Sequence, residues 1–180
     1  MPKKRIWTSA ILATIALAAL AIAIAQDKKP LSPPATTSFT FADGKTVTID
    51  YSRPSMRNRK IFGGLVPYDR VWRTGANAAT SLKTDVNLTI GGTPVPAGSY
   101  TLYTLPGQNS WSLIVNKQTG QWGTKYDQSQ DLARIPMKVA QRSSGLELFT
   151  ISLDKTGDDS AVLKIEWENT LASVDVKEQK

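Results

Sequence analysis

The stretch LELFTISLDKTGDDSAVLKIEW, residues 146–167, decides the fold of this chain. It holds two alternating runs with a polar turn between them. In the first run Phe149, Ile151 and Leu153 share one face, and in the second the large apolar residues share a face opposite Lys164 and Glu166. Alternation with a period of two is the pattern of a half-buried β-strand. The stretch therefore predicts two strands that pack one face on a core, joined by a solvated hairpin turn.

Similar short runs follow one another through the rest of the chain from Ser38 onward, separated by Gly, Pro or Asn. They are residues 39–41, 47–51, 81–84, 87–90, 93–95, 99–104, 111–116, 135–141 and 173–176. The pair Asp43-Gly44 between the first two runs is a hairpin signal. No amphipathic helical period is convincing. The sequence predicts an all-β fold, an antiparallel β-sandwich or jelly-roll-like domain of about ten strands.

The first 25 residues have the pattern of an export signal. Lys3, Lys4 and Arg5 precede an uncharged apolar stretch that closes with Ala23-Ile24-Ala25. A basic start, an apolar run and a small-x-small exit predict a signal peptide, residues 1–25, in the form of a signal helix ahead of the domain. An uncleaved anchor is the alternative, because an apolar run of this length can span a bilayer. Both readings predict a periplasmic or secreted protein, which contacts the membrane only through this segment if it is retained.

The remaining chain divides into a proline-rich linker at residues 26–37, a single β-sandwich domain at 38–176 and a polar tail at 177–180. The whole chain has 22 basic and 15 acidic residues, and removal of residues 1–25 would leave 19 against 15, a balance of +4. This excess is modest and local to one segment, so no nucleic-acid partner is predicted. The sequence makes no prediction of oligomeric state.

The chain contains no cysteine and no histidine. This composition excludes a thiolate nucleophile, a Ser-His-Asp triad, a Cys/His zinc site and a histidine-based pH switch. Catalysis would have to come from carboxylates, Tyr, Lys or Arg, or from an oxygen-ligated metal. Asp154, Asp158 and Asp159 could collect Ca²⁺, but Lys155 among them favours a hairpin turn. No metal site and no cofactor are predicted.

The segment YSRPSMRNRKIFGGLVPYDRVWRTGANAAT, residues 51–80, is called the arginine-rich segment below. It carries six cations against the single acid Asp69, with large aromatic residues between them, and it has no helical or strand period. Guanidinium groups beside aromatic rings suit an anionic, planar or sugar-like ligand. The predicted ligand-binding residues are Arg53, Arg57, Arg59, Tyr68, Arg70, Trp72, Arg73 and Asn77. The alternative is that these arginines pin a long connection to backbone carbonyls and carboxylates.

Two further groups are weaker candidates. Trp111, Trp122 and Tyr126 could form an aromatic platform for sugar rings, although rings that cap the core are the favoured interpretation. Glu166 and Glu168 lie on one face of a strand and could act as a carboxylate pair. Exposed acids that aid solubility are the favoured interpretation there.

Several long motifs together resemble one family over nearly all of residues 32–176. They are YSRPSMRNRKIFGGLVPYDRVWRTGANAAT, LTIGGTPVPAGSYTLYTLPG, WSLIVNK, QWG, FTISLD and LKIEWENT. In this order they resemble the bacterial domain of unknown function 2911 family (DUF2911). The resemblance implies an exported or periplasmic β-rich domain with no assigned activity. The family pattern resembles SRP…GRKIFGGLVPY…VWRTGANEAT, so Ala78 stands in place of an acid and Asn58 in place of a glycine. The missing acid favours binding or scaffolding in this chain.

The leading hypothesis is an exported protein that binds a polar or anionic small-molecule or glycan ligand, such as an envelope glycan, with binding favoured over catalysis. One alternative is a histidine-free hydrolase or lyase, in which Asp50, Asp69, Tyr51 or Tyr68 acts as base and an arginine stabilises a developing anion. The other is a structural or assembly module of the cell envelope.

Overall fold

The computed structural model describes residues 30–180, so the predicted signal peptide and most of the linker lie outside the described residues. The strands are β1 Pro34–Thr40, β2 Thr46–Ser52, β3 Thr80–Thr84, β4 Leu88–Ile90, β5 Thr93–Val95, β6 Gly98–Pro106, β7 Trp111–Asn116, β8 Asp131–Lys155 and β9 Ser160–Glu178. Within residues 30–180 the only helical element is the short 3-10 turn Gln128–Gln130. This part of the chain contains no helix with the length and apolar character needed to cross a membrane.

All nine strands join one antiparallel sheet in the order β1-β2-β3-β6-β7-β8-β9-β4-β5. The predicted antiparallel all-β fold is confirmed. The strand count differs slightly because β8 and β9 each absorb two of the predicted runs. The pairing of β8 with β9 shifts register between Gln141 and Leu146 and again between Leu146 and Thr150. Such irregularities bend a strand without ending it.

The long strand β8 turns the sheet around a single core. Its first part, Asp131–Met137, pairs with β7, and the part from Lys138 onward pairs with β9. The same buried cluster contains residues from both parts of the sheet. Leu102 and Leu113 come from β6 and β7, and Phe149 comes from the second part of β8. The alternating apolar faces of residues 146–167 are therefore core, as their pattern predicts.

The ends of the folded part differ from the predicted boundaries. β1 begins at Pro34, inside the stretch assigned to the linker, where it pairs with Ser52. Prolines are tolerated there because β1 is an edge strand of the sheet. β9 continues to Glu178, inside the stretch assigned to the polar tail, where it pairs with Leu88 of β4.

Both predicted hairpin turns are present. Phe41 donates its N–H to the Lys45 carbonyl at 2.9 Å, and Gly44 takes a φ of 84° that favours glycine. Near the second turn the acids form ion pairs with lysines. The Nζ of Lys164 lies 2.6 Å from Oδ2 of Asp154. Lysines also pair with Asp158 and Asp159. No group of three or more metal-ligating residues occurs among the residues the structure describes.

Candidate functional site

The arginine-rich segment is anchored in the core along its length. Ile61, Phe62 and Val66 are buried in the main hydrophobic cluster. The Glu168 carboxylate accepts the N–H groups of Ile61 and Phe62, each at 3.4 Å. Glu168 sits on β9 with a φ of 54°, so an irregularity in the strand directs its side chain to this connection. The segment therefore has a defined path rather than that of a solvated loop.

The residues around Arg73 are fixed by backbone pairing and by threonine hydroxyls. Trp72 and Thr104 of β6 exchange N–H···O bonds of 2.8 and 2.9 Å. The buried Thr74 hydroxyl lies 3.1 Å from that of Thr104, and Thr80 donates to the Thr74 carbonyl at 2.8 Å. Arg73 lies between these anchored residues, so its position on the surface is set by the sheet.

Several residues of the segment have left-handed backbone conformations. The φ angles are 51° at Arg57, 57° at Asn58, 53° at Thr74 and 60° at Asn77. Asn tolerates this region, and position 58 therefore suits Asn or Gly. A β-branched residue such as Thr is a true outlier there, and strained backbone clusters at binding and catalytic sites. Arg57 and Asn77 line the cavity described next, and Thr74 lies between its lining residues Arg73 and Gly75.

An open cavity of about 600 Å³ lies beside this segment. Three arginines line it, and no Asp or Glu from residues 30–180 does. Its aromatic and aliphatic lining residues are Trp72, Tyr103, Tyr126, Trp167, Leu31, Pro54, Leu65, Val66, Val71 and Ala76. Its small or polar lining residues are Ser32, Ser55, Gly75, Asn77, Gly123 and Thr124. The cavity is thus a basic site whose walls combine polar and apolar groups.

The sequence predicted eight ligand-binding residues, and the structure brings five of them together in this cavity. These five are Arg57, Arg59, Trp72, Arg73 and Asn77. The others do not line it. Arg53 is held against β8, where its Nε donates to the Phe149 carbonyl at 3.0 Å and its Nη2 to the Thr150 hydroxyl at 2.8 Å. Tyr68 packs against the core, and Arg70 is exposed outside the cavity.

The cavity arginines differ in how many of their donors are already bound. Arg59 donates to the carbonyls of Ser55 and Met56 at 2.8 and 2.9 Å. Arg57 donates once, from Nη2 to the Leu31 carbonyl at 3.2 Å. The alternative structural role, in which arginines bind backbone carbonyls and stabilise the connection, therefore fits Arg59 fully and Arg57 in part.

Arg73 is different, because its guanidinium makes no hydrogen bond or ion pair with any residue from 30 to 180. Its aliphatic stem packs against Gly123, which also lines the cavity and whose N–H donates to the Asn77 carbonyl. A Cβ at position 123 would lie 2.5 Å from Arg73 Cδ and 2.9 Å from the Asn77 carbonyl oxygen. Glycine at 123 therefore allows the stem to pack closely, and the charged end is left for a ligand or for water.

Trp72 forms part of the cavity floor rather than an open platform. It stacks on Trp167 at 5.9 Å with an interplanar angle of 16°. Phe62 and Phe149 pack edge-on against it at 6.0 and 5.2 Å. Most of its ring is therefore committed to the aromatic cluster of the core.

Sequence reasoning did not predict Tyr103 as a wall residue, and it considered Tyr126 only as part of an aromatic platform with Trp111 and Trp122. Tyr103 is on β6, and its ring meets that of Tyr126 edge-on at 4.9 Å. The Tyr103 hydroxyl donates to the Lys125 carbonyl at 3.1 Å. The sequence could have indicated this, because residues 100–104 are apolar or Thr on both faces. That pattern is typical of a strand that is covered on both sides, which would place Tyr103 against other residues.

The other aromatic and acidic candidates have separate locations. Trp111 is buried in the core and Trp122 is exposed, so the three rings considered as a platform do not form one. Glu166 pairs with Arg142, and Glu168 accepts the backbone N–H groups named above. Neither glutamate lines the cavity.

A network of charged and polar groups holds Tyr126 in the wall. Its hydroxyl donates to Asp131 at 2.6 Å and accepts from Arg134 at 2.7 Å, and Arg134 also bonds Asp131 at 2.9 Å. Asn116 donates to the other Asp131 oxygen at 2.9 Å. Burial, and then the hydrogen bond to the Asp131 carboxylate, raise the pKa of Tyr126 to about 12.

Tyr126 is expected to ionise later than an ordinary tyrosine, whose pKa is 10.0. The folded state therefore holds this proton more tightly than the unfolded state does. The corresponding stability is present below pH 10 and is lost as the pH rises toward 12. Ultraviolet titration of tyrosinate, taken as the difference between wild type and Tyr126→Phe, measures this pKa. A Tyr126 signal centred near pH 10 would contradict the network.

The fold and the cavity define a class of protein: an all-β domain with an open, arginine-lined site. The sequence profile of the family described as "Protein of unknown function (DUF2911)" matches residues 32–176, and the chain belongs to this family. No curated protein and no solved structure matches the chain.

Proposed function

We propose that this protein binds an anionic ligand in the cavity, with Arg73 as the principal contact and Arg57 and Arg59 beside it. The observation that carries the proposal is the guanidinium of Arg73, which has no hydrogen-bond or ion-pair partner among residues 30–180, in a cavity that no carboxylate from those residues lines. The positive charges of the arginines in one cavity repel one another, and an anion bound between them offsets this repulsion.

The free donors of the cavity favour a carboxylate or a phosphate. A guanidinium has five N–H groups arranged as a planar fork. None of the five N–H groups of Arg73 bonds to a residue from 30 to 180. Arg57 has one N–H group bound to a backbone carbonyl, and Arg59 has two. Forked donors match the two oxygens of a carboxylate or phosphate. An acidic glycan of the cell envelope would present such a group to an exported protein.

The alternatives have less support from the geometry. A histidine-free hydrolase or lyase needs a base beside the arginines, but Asp50, Asp69, Tyr51 and Tyr68 are not among the lining residues. The two tyrosines that line the cavity have their hydroxyls engaged, Tyr126 with Asp131 and Arg134 and Tyr103 with the Lys125 carbonyl. A purely structural role accounts for Arg53 and Arg59, but it explains neither the cavity nor an Arg73 side chain that bonds to no residue from 30 to 180.

Arg73→Ala is expected to weaken binding of inorganic phosphate or citrate about 10- to 100-fold, since a charge-assisted hydrogen bond contributes about 1.5–3 kcal/mol. Arg70→Ala is the matched control, because it removes an exposed arginine of the same segment outside the cavity. Isothermal titration calorimetry on wild type and both variants makes the comparison, with glucuronate as a probe for an acidic sugar. Equal affinities in wild type and Arg73→Ala, or equal losses in the two variants, would remove the proposal.

A further inference from the structure

The exposed large apolar side chains of residues 30–180 lie in or beside the arginine cavity. Among residues 30–180, the exposed large hydrophobic residues are Leu31, Leu65 and Trp122, at 72%, 46% and 54% exposure. Leu31 and Leu65 line the cavity. Trp122 directly precedes Gly123 of the cavity wall and pairs through its backbone with Ala78.

This coincidence is unusual for a folded domain. Single exposed apolar residues scattered over a surface are ordinary and need no explanation. Apolar groups that rim one cavity point to an interaction there, since a ligand that covers them removes apolar area from water.

The exposed large apolar side chains that line the cavity, Leu31 and Leu65, are aliphatic. The exposed ring of Trp122 lies next to the cavity, and the lining rings of Trp72 and Tyr126 are partly buried. Tyr103 and Trp167 are each only 1% exposed. Trp72 is stacked on Trp167 and packed against two phenylalanines. The exposed leucine side chains in the lining suit an alkyl chain, which they would remove from water.

Cationic and apolar groups meet directly at the rim. Arg57 donates to the carbonyl of Leu31, so a guanidinium and the most exposed leucine share one edge of the cavity. The volume of about 600 Å³ falls within the range of about 300–1,000 Å³ that holds small organic ligands. The site can therefore receive a head group and a chain together.

We propose that the anion bound here is the head group of an amphiphile, a carboxylate or phosphate that carries an alkyl or acyl chain. The head group lies against Arg73 and Arg57, and the chain lies against Leu31 and Leu65 at the rim. This inference rests on the proposed function and specifies the chemical class of its ligand.

Three probes separate the contributions of head group and chain: octyl phosphate below its micellar concentration, inorganic phosphate, and octyl glucoside. Calorimetry on the wild type is expected to give an affinity for octyl phosphate at least tenfold above that for inorganic phosphate. Octyl glucoside, which has the chain without the charge, is expected to bind more weakly than octyl phosphate.

Two variants locate the contacts. The double variant Leu31→Ser/Leu65→Ser is expected to lower the affinity for octyl phosphate severalfold and to leave that for inorganic phosphate unchanged. The unchanged phosphate affinity also serves as the control for folding. Arg73→Ala is expected to weaken binding of both phosphates.

The outcomes distinguish this inference from the proposed function. If inorganic phosphate binds in an Arg73-dependent way and the octyl chain adds nothing, the amphiphile inference is wrong and anion binding stands. The same holds if octyl phosphate binds more tightly but the double variant leaves its affinity unchanged. If neither phosphate depends on Arg73, the proposed function and this inference are both wrong.

Discussion

Trp167→Ala is expected to lower the free energy of unfolding by about 3–5 kcal/mol, the range for removing a large buried aromatic side chain. Trp167 is among the largest fully buried side chains of the described residues. It stacks on Trp72 and packs edge-on against Phe62 and Phe149. Its indole N–H also donates to the Glu147 carbonyl at 3.1 Å. Alanine would leave a cavity that four fixed neighbours cannot fill.

Trp122→Ala is the matched control, because it is the same substitution at an exposed position. It is expected to change stability by no more than about 0.5 kcal/mol. Urea unfolding followed by circular dichroism measures both variants. A loss below about 1 kcal/mol for Trp167→Ala, or equal losses in the two, would contradict the aromatic cluster as the centre of the core.

Tyr51→Phe is expected to lower the free energy of unfolding by about 2–4 kcal/mol, which is the cost of leaving two buried backbone groups without partners. The buried Tyr51 hydroxyl donates to the Ile151 carbonyl at 3.1 Å and accepts the Ile151 N–H at 3.0 Å. One side chain on β2 therefore satisfies both polar groups of a residue on β8. Phenylalanine keeps the ring contact with Phe149 and removes only these bonds.

Tyr100→Phe provides the comparison for this variant. Its hydroxyl makes a single bond, to the Pro96 carbonyl at 2.9 Å, at a partly buried position. The expected loss is about 1 kcal/mol. The same urea unfolding experiment ranks the two variants, and a smaller loss for Tyr51→Phe than for Tyr100→Phe would show that the Tyr51 bonds contribute little.

The fold could be predicted from the sequence because its strands alternate and its turns carry Gly and Asp. The exact number of strands could not, since the predicted runs in β8 and β9 join through irregular pairing between them. That pairing depends on where two distant segments meet, including a left-handed Glu168 that no local pattern requires. The edge position of β1, which admits Pro34, is likewise a property of the complete sheet.

The candidate site was only partly predictable for a similar reason. Composition drew attention to the arginine-rich segment, but the path of that segment depends on the burial of Ile61 and Phe62 and on the strained Thr74. Arg73 lies in the cavity next to Thr74, whereas Arg53 is held against β8 by its own hydrogen bonds to Phe149 and Thr150. The opposite wall, with Tyr126, comes from far along the chain, and a single sequence gives no measure of that proximity.

The cavity is assembled from residues as far apart in the chain as Leu31 and Trp167. A fragment that lacks either end would lose part of the wall or of the floor, so affinity for an anion would report on completion of the entire domain. A ligand that binds only the native state shifts the folding equilibrium in proportion to its concentration and affinity. Thermal-shift screening of acidic metabolites and lipids against the intact protein would therefore search for the natural ligand and test the integrity of the fold in the same measurement.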